Sequence, residues 1–203
     1  MSGNDSYVKT TASYDSGLQD NGWAYSVLID YWQAHRKYAV GTAGQGQTYF
    51  FSVGKKFNEK HSLNFLLTGS PQWHDQNFSK SKEFYAQNGI KANTNTGFFE
   101  GERFTERRNF YHKPIANINW DFNINDSMDL STVLYGSWGR GGGTGGYGRG
   151  LVRYEDSQPN GNRPGHEIDF DAIQTENIAN ADANGNGNYG DSYLRRGSMN
   201  MHN

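Results

Sequence analysis

From Trp23 to Tyr31 the odd positions read Trp23, Tyr25, Val27, Ile29 and Tyr31, while the even ones read Ala24, Ser26, Leu28 and Asp30. A period of two with one apolar side predicts a strand, and a helical period of 3.6 fits badly. The longest such run extends from Phe110 to Ile124. Phe110, His112, Pro114, Ala116, Ile118, Trp120, Phe122 and Ile124 fall on one side, and Asn117, Asn119, Asp121 and Asn123 on the other. Weaker alternation marks Tyr7 to Tyr14, Thr48 to Phe57, Ser62 to Gly69 and Met128 to Trp138. Six strands are expected, and their Tyr, Phe, Trp, Val and Thr content agrees with strand propensity.

The connections alternate in length. Asp15 to Gly22, Asn58 to His61 and Asn125 to Ser127 are short and rich in Asn, Asp, Gly and Ser, which is turn chemistry. His35 to Gln47, Ser70 to Arg107 and everything from Gly139 onward are long and polar. Antiparallel strands joined in this order form a meander with every tight turn at one end and every long loop at the other. A soluble sandwich would carry long excursions at both ends, whereas short turns on one side and long loops on the other characterise outer-membrane barrels. Aromatic residues gather at both strand ends, with Trp23, Trp120 and Phe122 toward the turns and Tyr31, Trp32 and Trp138 toward the loops. That distribution suggests two interfacial girdles. The fold class expected is therefore all-β, an antiparallel meander of six strands belonging to a large, incomplete transmembrane barrel. Residues 1–138 form the partial barrel and 139–203 a long Gly/Asn-rich exterior loop region. Phe170, Ile173 and Asn177 make a thin apolar stripe that points to a short helix over 170–180.

Composition changes this picture little. Of the 203 residues 34% are hydrophobic and 15% aromatic, so a large aliphatic core is not expected, yet the aromatic content argues against disorder. Alternating strands resolve that tension, because each needs apolar residues only at every second position. The net charge of −2 gives no nucleic-acid footprint. No apolar run approaches the length of a membrane helix, and the N-terminus lacks the basic and apolar regions of a secretory signal. With no cysteine, disulfides and thiolate metal sites are excluded.

Several segments in order carry a resemblance. They are Gly22-Trp23-Ala24-Tyr25-Ser26-Val27, Tyr49-Phe50-Phe51-Ser52-Val53, His61-Ser62-Leu63, Gly69-Ser70-Pro71-Gln72-Trp73-His74, Arg108-Asn109-Phe110-Tyr111-His112-Lys113-Pro114, Thr132-Val133-Leu134-Tyr135 and Gly139-Arg140-Gly141-Gly142-Gly143-Thr144-Gly145. Together they resemble the first barrel strands of TonB-dependent outer-membrane receptors, in particular those with a carboxypeptidase-regulatory-like N-terminal extension. The likeness runs from about Asn4 to Thr144 and resumes at Ile168-Asp169-Phe170-Asp171-Ala172 and Leu194-Arg195-Arg196. It implies a fragment of a receptor that imports a bulky nutrient such as a siderophore, glycan or peptide. The fragment would begin just after the plug, with Met199 to Asn203 near the start of strand seven. The resemblance further implies a place in the outer membrane. Its partners would be outer-membrane lipid, the parent's plug and remaining strands, and the TonB complex through the parent's N-terminal part. The rival reading is a secreted or surface β-sheet ligand-binding module, such as a glycan binder or adhesin domain.

Motifs that carry chemistry are few. The Gly139 to Gly150 run lacks a following Gly-Lys-Ser/Thr and cannot be a P-loop; it reads as a mobile loop or a close backbone approach, unable to continue a packed strand. Asp182 to Gly187 fits the opening half of a calcium loop, but Tyr193 stands where the bidentate Glu is needed, so an Asn/Gly-rich surface loop is favoured. The six histidines show no metal spacing, and no nucleophile elbow or paired-carboxylate pattern occurs. No enzyme activity and no cofactor are expected. The 70–107 segment holds Trp73, Phe78, Phe84, Tyr85, Phe98, Phe99 and Phe104 among amides and charges, a mixture able to stack on a bulky polar ligand. Trp73 and Phe99 are its candidate ligand contacts, set against the plainer reading that these rings pack on one another.

Overall fold

The computed structural model describes residues 1–35, 38–148, 150–159, 161–184 and 193–202, with the backbone alone for 181–184 and 193–202. The chain is mostly β and its main sheet is antiparallel. The first strands are β1 (Val8–Asp15), β2 (Trp23–Ala34), β3 (Gly44–Lys56), β4 (His61–Gly69) and β5 (Gln72–Asp75). Helix α1 (Lys82–Asn88), β6 (Thr96–Phe99) and β7 (Glu102–Thr105) follow, then β8 (Arg108–His112), β9 (Ile115–Asn125), β10 (Met128–Ser137) and β11 (Gly139–Gly148). The chain ends with α2 (Tyr154–Ser157), β12 (Ile168–Asp169), α3 (Phe170–Asn184) and β13 (Tyr193–His202).

Short turns close the strands at one end by side-chain capping of the backbone. Asn58 Oδ1 accepts from the amides of Lys60 (2.8 Å) and His61 (2.9 Å), and Asn125 Oδ1 accepts from Ser127 N at 3.0 Å. Gly22, at φ 80°, runs so close to β3 that a Cβ would lie 2.4 Å from the Lys56 carbonyl oxygen. Only glycine fits there.

Prolines divide two of the long strands without shifting them. The sequence pattern predicts one strand from Phe110 to Ile124; the structure splits it into β8 and β9 at Lys113-Pro114, because proline has no amide to donate to the ladder. Pro71 separates β4 from β5 in the same way. Both proline carbonyls remain in use, accepting from Trp138 N at 3.3 Å and Gln47 N at 2.9 Å. Register runs straight through each break: Thr68 faces Ile115 and Gln72 faces Tyr111, while Ser137 faces Ile115 and Arg140 faces His112. Thus β4 with β5, β9 with β8, and β10 with β11 act as three long strands.

The reading of Gly139 to Gly150 as a segment that cannot be a strand is corrected by β11. It pairs with β8 on one side and with the whole of β13 on the other. Backbone hydrogen bonds need no side chain, and here the neighbours crowd in. A Cβ on Gly141 would stand 3.0 Å from both the Phe110 carbonyl and Tyr111 Cβ, and one on Gly145 would lie 2.5 Å from an Arg107 guanidinium nitrogen. Residues 139–148 and 193–202 therefore belong to the main sheet rather than to a loop. Among the described residues the result is a meander of seven long strands, in the order β1, β2, β3, β4/β5, β9/β8, β10/β11 and β13. β13 starts at Tyr193, ahead of the Met199 at which the resemblance puts a seventh strand, and within the region expected as loop. Among the described residues no pairing joins β1 to β13, so the sheet keeps two open edges.

The 70–107 segment, expected as loop, is likewise partly ordered. The β6–β7 hairpin, turned at Glu100 (φ 50°) and Gly101 (φ 83°), takes β12 as a parallel neighbour. These strands, α2 and α3 make a small cap. The stripe expected over 170–180 is helical, within α3. The cap core is Ile168, Phe170 and Ile173, flanked by Phe99, Leu151 and Val152. Its pairing partners lie far apart in sequence, which is why local alternation does not announce them. Asn93 ties it to the loop after β2 through a 2.8 Å bond to the Val40 carbonyl, and Thr144 of β11 donates to the Glu106 carbonyl at 2.6 Å.

Candidate membrane interface

Register decides which side chains share a face. Trp23, Tyr25, Val27, Ile29 and Tyr31 of β2 stand opposite Lys55, Val53, Phe51, Tyr49 and Gln47 of β3. That row continues through Leu63, Phe65 and Leu67 to Trp120, Ile118 and Ala116, and then to Thr132, Leu134 and Gly136. The opposite face pairs Ser26 with Ser52, Asn64 with Asn119, and Ser62 and Ser131 with Asp121. Side-chain hydrogen bonds knit the polar face: Asn64 to Ser52 at 2.9 Å and Ser131 to Asp121 at 2.6 Å. Apolar residues interrupt it: the direct pair Leu28 and Phe50, and Leu66, Ile115, Val133 and Tyr135.

The apolar face stands open: Ile29 is 53% exposed and Leu134 69%. On the other face Asp30 is buried, with Lys9 at 3.2 Å, while Val133 and Tyr135 near the β10 edge are exposed. Hydrophobic burial does not explain this sheet.

Both ends of the apolar face carry aromatic clusters. Toward the turns Trp23 stacks on Tyr25 (5.9 Å) beneath the Lys55 ammonium, and His61 stacks on Phe122 (4.3 Å) beside Trp120. Toward the loops Tyr49 crosses the glycine opposite it, Gly69, where a Cβ would meet its hydroxyl at 2.4 Å, to reach His112 Nε2 at 2.9 Å. Just beyond Pro71 lies a groove of about 410 Å³, lined by residues that include Tyr31, Gln45, Gln47, Trp73, Phe110, His112 and Arg140. None of its lining residues is a carboxylate.

Trp73 and Phe99 are not brought together. Trp73 sits in that groove under the Arg108 guanidinium (4.0 Å), which is itself held by Asp75 at 2.7 and 3.2 Å. Phe99 packs against the cap core, 6.0 Å from Phe104. Phe104 meets Phe170 edge-on at 4.9 Å, Phe84 meets His166 at 5.4 Å, and Phe98 lies between Arg103 (4.1 Å) and Arg163 (3.5 Å). Most loop aromatics thus pack within the protein. Sequence reading missed Arg140, which the glycine run hides; extending the alternation of β8 across the ladder would have found it opposite His112. Burial lowers the His166 pKa below its ordinary value, and burial reinforced by the Asp169 carboxylate raises that of the Tyr154 phenol.

No protein-family model, curated protein or solved structure matches the chain. Among the described residues no group of three or more His, Asp or Glu is placed to hold a metal, and no helix is long and apolar enough to cross a membrane. Most of the 182–193 calcium candidate lies outside the described residues.

Proposed function

We propose that this chain is a stretch of the wall and exterior loops of a TonB-dependent outer-membrane receptor that imports a bulky nutrient. The observation that carries the reading is the open apolar face of the main sheet, along which Trp23, Tyr25, Ile29, Phe51, Phe65, Ile118, Trp120 and Leu134 share one register and stand exposed, while Ser, Asn and Asp lie on the other face. Lipid is the solvent that suits the first, and a hydrated lumen holding a plug suits the second. Along β9 the apolar face runs from Ile124 to Pro114, about 34 Å of strand, or about 25 Å of height at a tilt of roughly 40°. That height matches the apolar band of such barrels. The long-loop end, with the cap, would face the exterior and meet the ligand, and the edges β1 and β13 would pair with the parent's other strands. In the parent, capture outside would be followed by TonB-driven rearrangement of the plug. This chain supplies wall and loops to that cycle and no catalytic step.

The test is partition. The chain, refolded from urea in the presence of phospholipid vesicles, is expected to float with them and to protect its strands from protease while the cap is cleaved. A chain that stays monomeric in buffer with its β-signal intact would overturn the reading in favour of a surface binding module.

A further inference from the structure

We infer that the cavity between the loop end of the main sheet and the cap binds a zwitterionic amino-acid group with an apolar side chain. Four separate parts of the chain wall this cavity of about 440 Å³: the N-terminal turn at Asp5, the loop after β2 at Val40, the β5/β8 pair at Asp75 and Arg108, and the β6–β7 hairpin at Arg103 and Phe104. Its two arginines are built alike. Arg108 donates from Nε and Nη2 to the buried Asp75 (2.7 and 3.2 Å) and lies 4.0 Å over Trp73. Arg103 Nη1 stands 2.8 Å from the buried Glu167 carboxylate, and its guanidinium lies 4.1 Å over Phe98. One carboxylate and one ring thus fix each guanidinium. Among the described residues Arg103 Nε and Nη2 and Arg108 Nη1 have no further acceptor, so the pair keeps donors for a ligand carboxylate. Asp5 supplies the opposite sign. Its backbone, left-handed at φ 57° and followed by Ser6 at 59°, turns the N-terminal segment, and its carbonyl accepts from His35 N at 3.1 Å, which ties that turn to the end of β2. Because both signs line the cavity, a bare anion meets Asp5 and a bare cation meets the arginines, whereas a zwitterion complements both. Phe104, Val40 and Ala43 leave an apolar wall for the side chain. The site gives the cap a ligand of its own and does not depend on the sheet lying in lipid.

Isothermal titration calorimetry on the full 203-residue chain in non-ionic detergent tests the site. The probes are L-phenylalanine, 3-phenylpropanoate, which lacks the ammonium, and phenethylamine, which lacks the carboxylate. L-Phenylalanine should bind about tenfold tighter than either, the size of one charge-assisted contact. Asp5→Asn should weaken L-phenylalanine about tenfold and leave 3-phenylpropanoate as tight or tighter. Arg103→Gln should weaken L-phenylalanine and 3-phenylpropanoate and spare phenethylamine. A merely loosened cap would not give this crossed pattern. Circular dichroism, with hydrogen exchange in β6 and β7, reports whether each variant keeps its fold. Asp5 stands in the N-terminal turn outside the cap core, so Asp5→Asn decides the question even where Arg103→Gln loosens the hairpin. Equal affinity for all three compounds, no binding of L-phenylalanine up to millimolar concentration, or Asp5→Asn binding all three as the wild type does overturns the site. None of these outcomes touches the vesicle flotation that tests the membrane reading.

Discussion

The main sheet and the cap use apolar side chains in opposite ways. In the cap, Ile168, Phe170 and Ile173 are buried beneath hairpin and helix, and polar groups interred with them are partnered: Ser157 donates to Asp169 at 2.6 Å, and Arg103 meets Glu167 at 2.8 Å. In the sheet, Ile29, Ile118 and Leu134 stand open on one face while Ser, Asn and Asp gather on the other. The cap hides its apolar groups from water, and under the proposed function the sheet presents its own to lipid. One chain therefore contains two folding rationales, and their boundary falls at the proline breaks, where the apolar band gives way to the groove.

The largest expected effect is in the cap. Ile168→Ala should cost about 2–5 kcal/mol of cap stability, as large-to-small core changes do, and speed hydrogen exchange in β6, β7 and α3. Ile118→Ala, on the apolar face of the sheet, should be much milder, because lipid fills the space. A charge sharpens the contrast. Ile118→Lys should destabilise the vesicle-inserted sheet by about 2–4 kcal/mol, measured by urea titration in lipid, whereas Asn119→Lys, its neighbour on the polar face, should change little. If both lysines cost the same, the two faces are not in different solvents.

A smaller effect concerns pH. His166 bonds Asn88 at 2.9 Å and touches Phe84, linking α1 to the cap. Burial holds its folded pKa below the ordinary value near 6.5, so the unfolded cap binds more protons as pH falls. Its contribution should be intact above about pH 6.5 and decline as pH drops toward the folded pKa. Hydrogen exchange in α1 at pH 7.5 and 5.5 checks this; His166→Gln should flatten the difference while the main sheet stays indifferent.

Legibility in the sequence divides along the same boundary. Alternation exposes β2, β4 and β9 because strands with one apolar and one polar face declare both to a reader of every second residue. It overran Pro114, because proline fell in phase with the apolar set and its missing amide leaves no trace in hydropathy. It failed at β11, since glycine contributes to neither face. The cap was hidden for another reason: β6 and β12 are too short to show a period, and their pairing joins residues far apart in the chain. Trp73 and Phe99 looked alike as loop aromatics, yet one lines a groove and the other a core, a difference that only the tertiary pairing creates.

The central claim is that alternate residues of one strand face lipid and water. The chain has no cysteine, so single substitutions at Asn117, Ile118, Asn119, Trp120 and Asp121 to Cys each carry a unique nitroxide label. In vesicles, oxygen, which concentrates in lipid, should relax the labels at 118 and 120. A water-soluble nickel chelate, reaching the lumen of the assembled sheet, should relax those at 117, 119 and 121. A reversed phase, or equal accessibility at all five positions, would contradict it.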